Sequence, residues 1–199
     1  FDVNGSTSLA CYIYLSMAYV LIGDFSSFEE INYKGFEFVN KKNINTPQAD
    51  YIRGVFFQNN KEFDLSNEYF NKVVKNTKKN NSWYTLVPLS AVQISYNYFL
   101  NRQFNEAYEN SLKALDISYK SKNQTGIIQS YLFLYTLSFL NNDLDKQINY
   151  LEDLVSYIDS MPSFTTKYEE QRFDQLLAYY ELLSTIYLFK NNPEAAFKT

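Results

Sequence analysis

A chain of 199 residues with 46% apolar side chains can bury a substantial core, as one large domain or a short repeat array, and is too apolar to be disordered. Five glycines and four prolines supply too few turns for a sheet protein, and a formal net charge of −4, with both signs spread along the chain, does not favour a nucleic-acid binder. No histidine and a single cysteine remove the commonest general base, any intrachain disulfide and any cysteine-based zinc site.

Helical patterns are predicted over about 8–21, 25–40, 47–59, 63–78, 86–100, 104–121, 124–141, 144–160 and 167–190, with another opening at 193. The first contains LACYIYLSMAYVLIG, where Cys11 reads as a buried structural thiol, because free cysteine behaves as a small hydrophobe. The second opens at Phe25, with Asp24 placed to cap it. Thr46–Pro47 reads as an N-cap followed by proline in the first turn. The fourth opens at Phe63 and runs into KNTKKNN, whose lysines suit a helix C-terminus; a basic edge for an anionic partner is the competing reading. Pro88 stands 16 residues before Phe104, as Pro47 stands 16 before Phe63. GIIQSYLFLYTLSFL, residues 126–140, is too short to cross a membrane and is interrupted by Gln129, Ser130 and Ser138, so it reads as a buried core helix. NNDLDKQ resembles the opening of a calcium loop but lacks the turn glycine and the closing glutamate, which favours a helix cap. SMPSFTTK is the longest turn-like connection, KYEEQRFDQ reads as charge pairing along a helix surface, and Pro193 opens the last helix.

The patterns repeat in phase. Phe25, Phe63, Phe104, Leu144 and Pro193 each open a new helix, at spacings of 38, 41, 40 and 49 residues. Nine places before these anchors stand Ser16, Gly54, Ser95, Tyr135 and Ser184, and four small residues out of five predict a close backbone approach. Phe104, Ala107, Ser111 and Ala114 of FNEAYENSLKAL form a stripe predicted to be a packing seam rather than a site. The helix pairs fall at about 8–41, 47–80, 86–121, 124–160 and 167–199, the last cut short, and the chain is expected to be a piece of a longer protein.

ISYNYFLNRQFNEAYENSLKAL and RGVFFQNNKEFDLSNEYFNKVV resemble tetratricopeptide repeats, and weaker copies cover nearly the whole chain. The spacing near 40 exceeds the usual 34 residues, which is similar to the long repeats of bacterial signalling proteins and to the pheromone-binding halves of transcription regulators. The resemblance implies an all-α fold, an α-α superhelix of about five helix pairs, binding a protein or peptide in its groove. The implied groove positions are Gln48, Tyr51, Val55 and Gln58; Leu89, Val92, Tyr96 and Phe99; and Gln129, Leu132, Thr136 and Phe139. Of these Tyr51, Val55, Val92, Tyr96, Phe99, Leu132 and Phe139 are the candidate contacts, and none is cationic, unlike the carboxylate clamp of chaperone-binding members. The favoured role is the sensory or interaction region of a bacterial signal-transduction protein. Competing readings are the peptide-pheromone domain of a transcription regulator and a self-associating assembly module. No nucleophile motif or phosphate-cradling loop appears, so no catalysis, cofactor, metal, nucleic-acid contact or membrane insertion is expected of this segment. A homodimer fits the reading, and the cytoplasm is favoured over the periplasm.

Overall fold

The computed structural model describes residues 6–79, 84–161 and 166–190, with side chains at 7–79, 84–161 and 176–190. Among the described residues the chain forms nine helices and no strand: α1 (Ser6–Leu21), α2 (Phe25–Lys41), α3 (Pro47–Asn59), α4 (Phe63–Asn76), α5 (Leu86–Leu100), α6 (Phe104–Ser121), α7 (Gln124–Leu140), α8 (Leu144–Asp159) and α9 (Thr166–Phe189). The anchors Phe25, Phe63, Phe104 and Leu144 are each the first residue of a helix, as the repeat phase predicts. α4 stops two residues early because Thr77 turns extended, at φ −85° and ψ 112°. The helix expected from Pro193 and the middle of SMPSFTTK lie outside the described residues. KYEEQRFDQ falls on the helical stretch of α9 whose side chains are not described.

The turns that join the two helices of each pair share one backbone solution. The residue two places before the anchor is left-handed: Gly23 at φ 74°, Lys61 at 62°, Arg102 at 60° and Asn142 at 53°. The next N–H then donates five residues back, Asp24 to the Tyr19 carbonyl, Glu62 to Phe57 and Gln103 to Tyr98 at 2.9 Å each, and Asp143 to Ser138 at 3.0 Å. This closing pattern satisfies helix carbonyls that would otherwise lack a donor. Only the first of the four turns uses glycine, the residue with no penalty there. Asp24 and Asp143 also cap the following helix, each accepting from a backbone N–H at 3.1 Å, from Ser27 and Lys146. Those hydrogen bonds hold both carboxyls below their ordinary range.

The chain packs as two compact units, Phe1–Gly126 and Ile127–Thr199. In the first, each helix packs on its successor, and α1 meets α3 and α3 meets α5, so first helices of pairs touch one another in line. Its core gathers Leu9, Ile13, Val39, Ile52, Phe70, Val73 and Ile94. In the second, α8 packs on α9 through Ile148, Leu151, Val155, Leu183 and Ile186, with Tyr135 of α7 against them.

Two of the small residues nine places before the anchors, Gly54 and Ser16, admit close neighbours. A Cβ on Gly54 would lie 2.6 Å from a ring carbon of Phe70, and the Gly54 carbonyl accepts from Ser66 Oγ at 2.8 Å. Ser16 Oγ donates to Asn32 Oδ1 at 2.7 Å in the pair before. Ala107, Ser111 and Ala114 are fully buried, so that stripe is the seam its spacing predicts. Phe104 at its head is half-exposed instead.

One expectation about α1 is overturned. Cys11 is exposed, not buried. The core side of α1 carries Leu9, Ile13 and Ser16, and two residues along a helix turn the side chain by roughly 200°. A helix apolar on every side does not announce which side faces the core.

Candidate functional site

Leu89, Val92, Tyr96 and Phe99 are spaced three, four and three apart and therefore share one stripe of α5. Tyr96 is 41% exposed, Val92 and Phe99 half-buried. The Tyr96 and Phe99 rings stack with centroids 6.3 Å apart, and Phe99 meets Phe104 edge-on at 5.8 Å. Leu100 and Phe104, both 40% exposed, extend the apolar surface to the end of the helix. The opposite side of α5 is closed by Ala91, Ile94 and Ser95, all buried.

α3 departs from the expectation. Tyr51 and Val55, placed in the groove by the family pattern, are core residues here, each only 8% exposed. The reason is neighbourhood: α1, α2, α4 and α5 all pack on α3, which leaves it no free stripe. The Tyr51 ring meets Phe70 edge-on at 5.7 Å, and burial pushes its phenol up to about 12. Gln48 is buried and Gln58 half-buried. Gln58 Nε2 donates to Gln93 Oε1 at 3.0 Å and to Asn97 Oδ1 at 2.7 Å. Asn97 Nδ2 in turn donates to Ser66 Oγ and Asn67 Oδ1, both at 2.8 Å. This amide ladder ties α3, α4 and α5 together, and its members specify one register because each buried amide is costly unless satisfied. Asn97 inside the apolar ISYNYFL was the available signal for it.

In the second unit, Gln129, Leu132, Thr136 and Phe139 share the corresponding stripe of α7. Phe139 is 60% exposed, Gln129 is exposed and Leu132 half-buried, while Thr136 Oγ1 donates to its own helix at the Leu132 carbonyl, 2.8 Å away.

A second, polar concavity of about 530 Å³ lies in the first unit between the end of α2, the start of α3 and α4. Arg53 lies at its base, donating from Nε to Asn40 Oδ1 at 3.1 Å and from Nη2 to the Ile44 carbonyl at 2.9 Å. Its Nη1 reaches Asp50 at 3.5 Å, and Lys72 sits 4.3 Å from the centroid of the Tyr69 ring. Burial pushes the Asp50 carboxyl up, against the pull of Arg53 and Lys72. Arg53 is the lone charge within YIRGVFF, and its bonds make it a pin that fixes the α2–α3 turn. Among the described residues, no helix is long and apolar enough to cross a membrane.

No protein-family model matches this chain, and no curated protein sequence matches it. Solved structures do. A kinesin light chain-like protein of Podosopora anserina with nearly identical TPR-like repeats superposes with a TM-score of 0.61 at 16% identity, covering 96% of this chain and 90% of that one. BtubC (BKLC) of P. vanneervenii gives 0.63 at 13% identity, over 94% of this chain and 74% of its own. The apo form of RapI gives 0.56 at 15% identity, over 93% and 72%. The chain has the all-α fold of TPR-like α-solenoid structures.

Proposed function

We propose that this chain is a protein- or peptide-binding scaffold whose docking stripe in the first unit is the outward side of α5, with Val92, Tyr96 and Phe99 as its contacts. The observation that carries the reading is the exposed Tyr96 ring, stacked on the half-buried ring of Phe99, on a helix whose other side is closed by the core. Aromatic rings give large contact area for little lost freedom, which is why they dominate binding hot spots. Leu132 and Phe139 of α7 are the proposed contacts of the second unit. Tyr51 and Val55 act from behind, as core residues that position α3. The setting we favour is the sensory or interaction region of a bacterial signal-transduction protein. There, a docked segment would select one packing of the helices and pass it to an attached domain, since repeats contact mainly their neighbours.

Selection of a displayed library of short peptides against the chain tests this. Tyr96→Ala is expected to weaken a selected peptide about 30-fold, the effect of losing a hot-spot aromatic of about 2 kcal/mol, with the denaturation midpoint unchanged. Enrichment of no peptide, or equal binding by Tyr96→Ala and Phe99→Ala, would refute the docking stripe.

A further inference from the structure

We propose that the polar concavity of the first unit is a binding site for a small organic anion, whose phosphate or carboxylate group meets Arg53 and Lys72. The first observation is a buried cation with donors to spare. The Arg53 side chain is only 8% exposed, and three of the five N–H donors of its guanidinium are engaged. The bonds to Asn40 and to the Ile44 carbonyl are sound, but Nη1 reaches Asp50 at 3.5 Å, the limit of a hydrogen bond. One N–H on each terminal nitrogen has no acceptor among the described residues. A charge this far from water is costly until its donors are satisfied, and an oxyanion accepts from both terminal nitrogens at once.

The second observation is another cation beside the first. Arg53 Cζ lies 5.8 Å and Lys72 Nζ 4.3 Å from the centroid of the Tyr69 ring, so one ring holds both charges at the cavity. Lys72 pairs with Glu68, but both side chains reach solvent, at 40% and 59% exposed, and such pairs hold weakly. Its ammonium is therefore free to turn to a ligand. Asn45, Thr46 and Asn76 add amide and hydroxyl groups to the wall. At about 530 Å³ the cavity has the size of a small-molecule site.

The third observation is the charge around the mouth. The wall residues Asn40 and Asn76 stand in VNKKNINT and KNTKK. Residues 38–49 and 69–79 carry Lys41, Lys42, Lys72, Lys75, Lys78 and Lys79 and no acid, in a chain whose net charge is −4. All but Lys72 are exposed. A local excess of one sign raises the concentration of the opposite ion at the cleft it surrounds. Asp50 is the one acid among the described residues that line the cavity. It is half-buried and loosely held by Arg53, and its carboxylate opposes a bound anion. The cavity shares no residue with the α5 stripe, so an anion occupies it independently of a docked peptide.

Titration of the chain with inorganic phosphate and, separately, with glutarate reads the site. Chloride holds the ionic strength constant, and the nitrogen–proton NMR signal of Arg53 Nε–H reports occupancy. A saturating shift is expected. Phosphate alone would assign a phosphate-bearing ligand, glutarate alone a carboxylate-bearing one, and both the shared oxyanion chemistry. Lys72→Gln should weaken binding about tenfold and Asp50→Asn should tighten it about tenfold, the effect of one charge at short range in a partly buried site. Circular dichroism of both variants should match the parent. Opposite effects from the two substitutions mark a site, because a purely structural Arg53 would not make anion affinity follow the sign of the charge removed. No saturating shift with either anion overturns the proposal. So does binding that either substitution leaves unchanged, which would put the anion on the surface lysines instead.

Discussion

Gly54→Ala pits helix propensity against packing at one atom. Alanine in a helix interior is favoured over glycine by about 1 kcal/mol, so local preference alone predicts a more stable protein. The structure predicts the reverse. The new methyl carbon would lie 2.6, 2.8 and 2.9 Å from three ring carbons of Phe70. Carbon pairs prefer about 3.5–4.0 Å, so the ring must retreat by most of an ångström. It has nowhere easy to go: Phe70 is fully buried and Tyr51 bears on it edge-on at 5.7 Å. Overpacking of this kind costs about 1–3 kcal/mol, which cancels the propensity gain and leaves a net loss of up to about 2 kcal/mol. Urea denaturation of Gly54→Ala measures it. Adding Phe70→Leu should recover about 1 kcal/mol relative to additivity, because the two residues contend for one volume. A Gly54→Ala protein more stable than its parent, or strict additivity in the double variant, would show that the α3–α4 seam is not set by this contact.

Lys61→Gly and Arg102→Gly should each stabilise the chain by about 0.5–1 kcal/mol, since both positions hold left-handed backbone that side chains resist; an unchanged or lower urea midpoint would argue against the shared turn. Acid behaviour should trace partly to the caps. Asp24 and Asp143 have folded-state carboxyls held below 3.8, so their contribution is complete above the unfolded value and is lost as pH falls through the lower folded one. Asp24→Asn with Asp143→Asn should therefore flatten the decline in denaturation midpoint below about pH 4 and change little near neutrality; an identical acid limb in that variant would count against the capping account.

What the sequence determined by itself was the period and the punctuation. Phe25, Phe63, Phe104 and Leu144 in phase, with Pro47 and Pro88 upstream, located the helix starts, because capping and turn chemistry are local. The small residues at Ser16 and Gly54 foretold close approaches for the same reason: a missing side chain is visible in the sequence whatever surrounds it. Only the tertiary structure decided which side of an apolar helix is covered. α1 and α3 carry apolar residues nearly all round, so periodicity leaves their orientation open. Cys11 came out on the exposed side of α1, while Tyr51 and Val55 went inside because α3 has helices on every flank. The amide ladder through Gln58 and Asn97 is likewise a fact of three helices meeting, joining residues 30 to 39 positions apart that no local spacing connects.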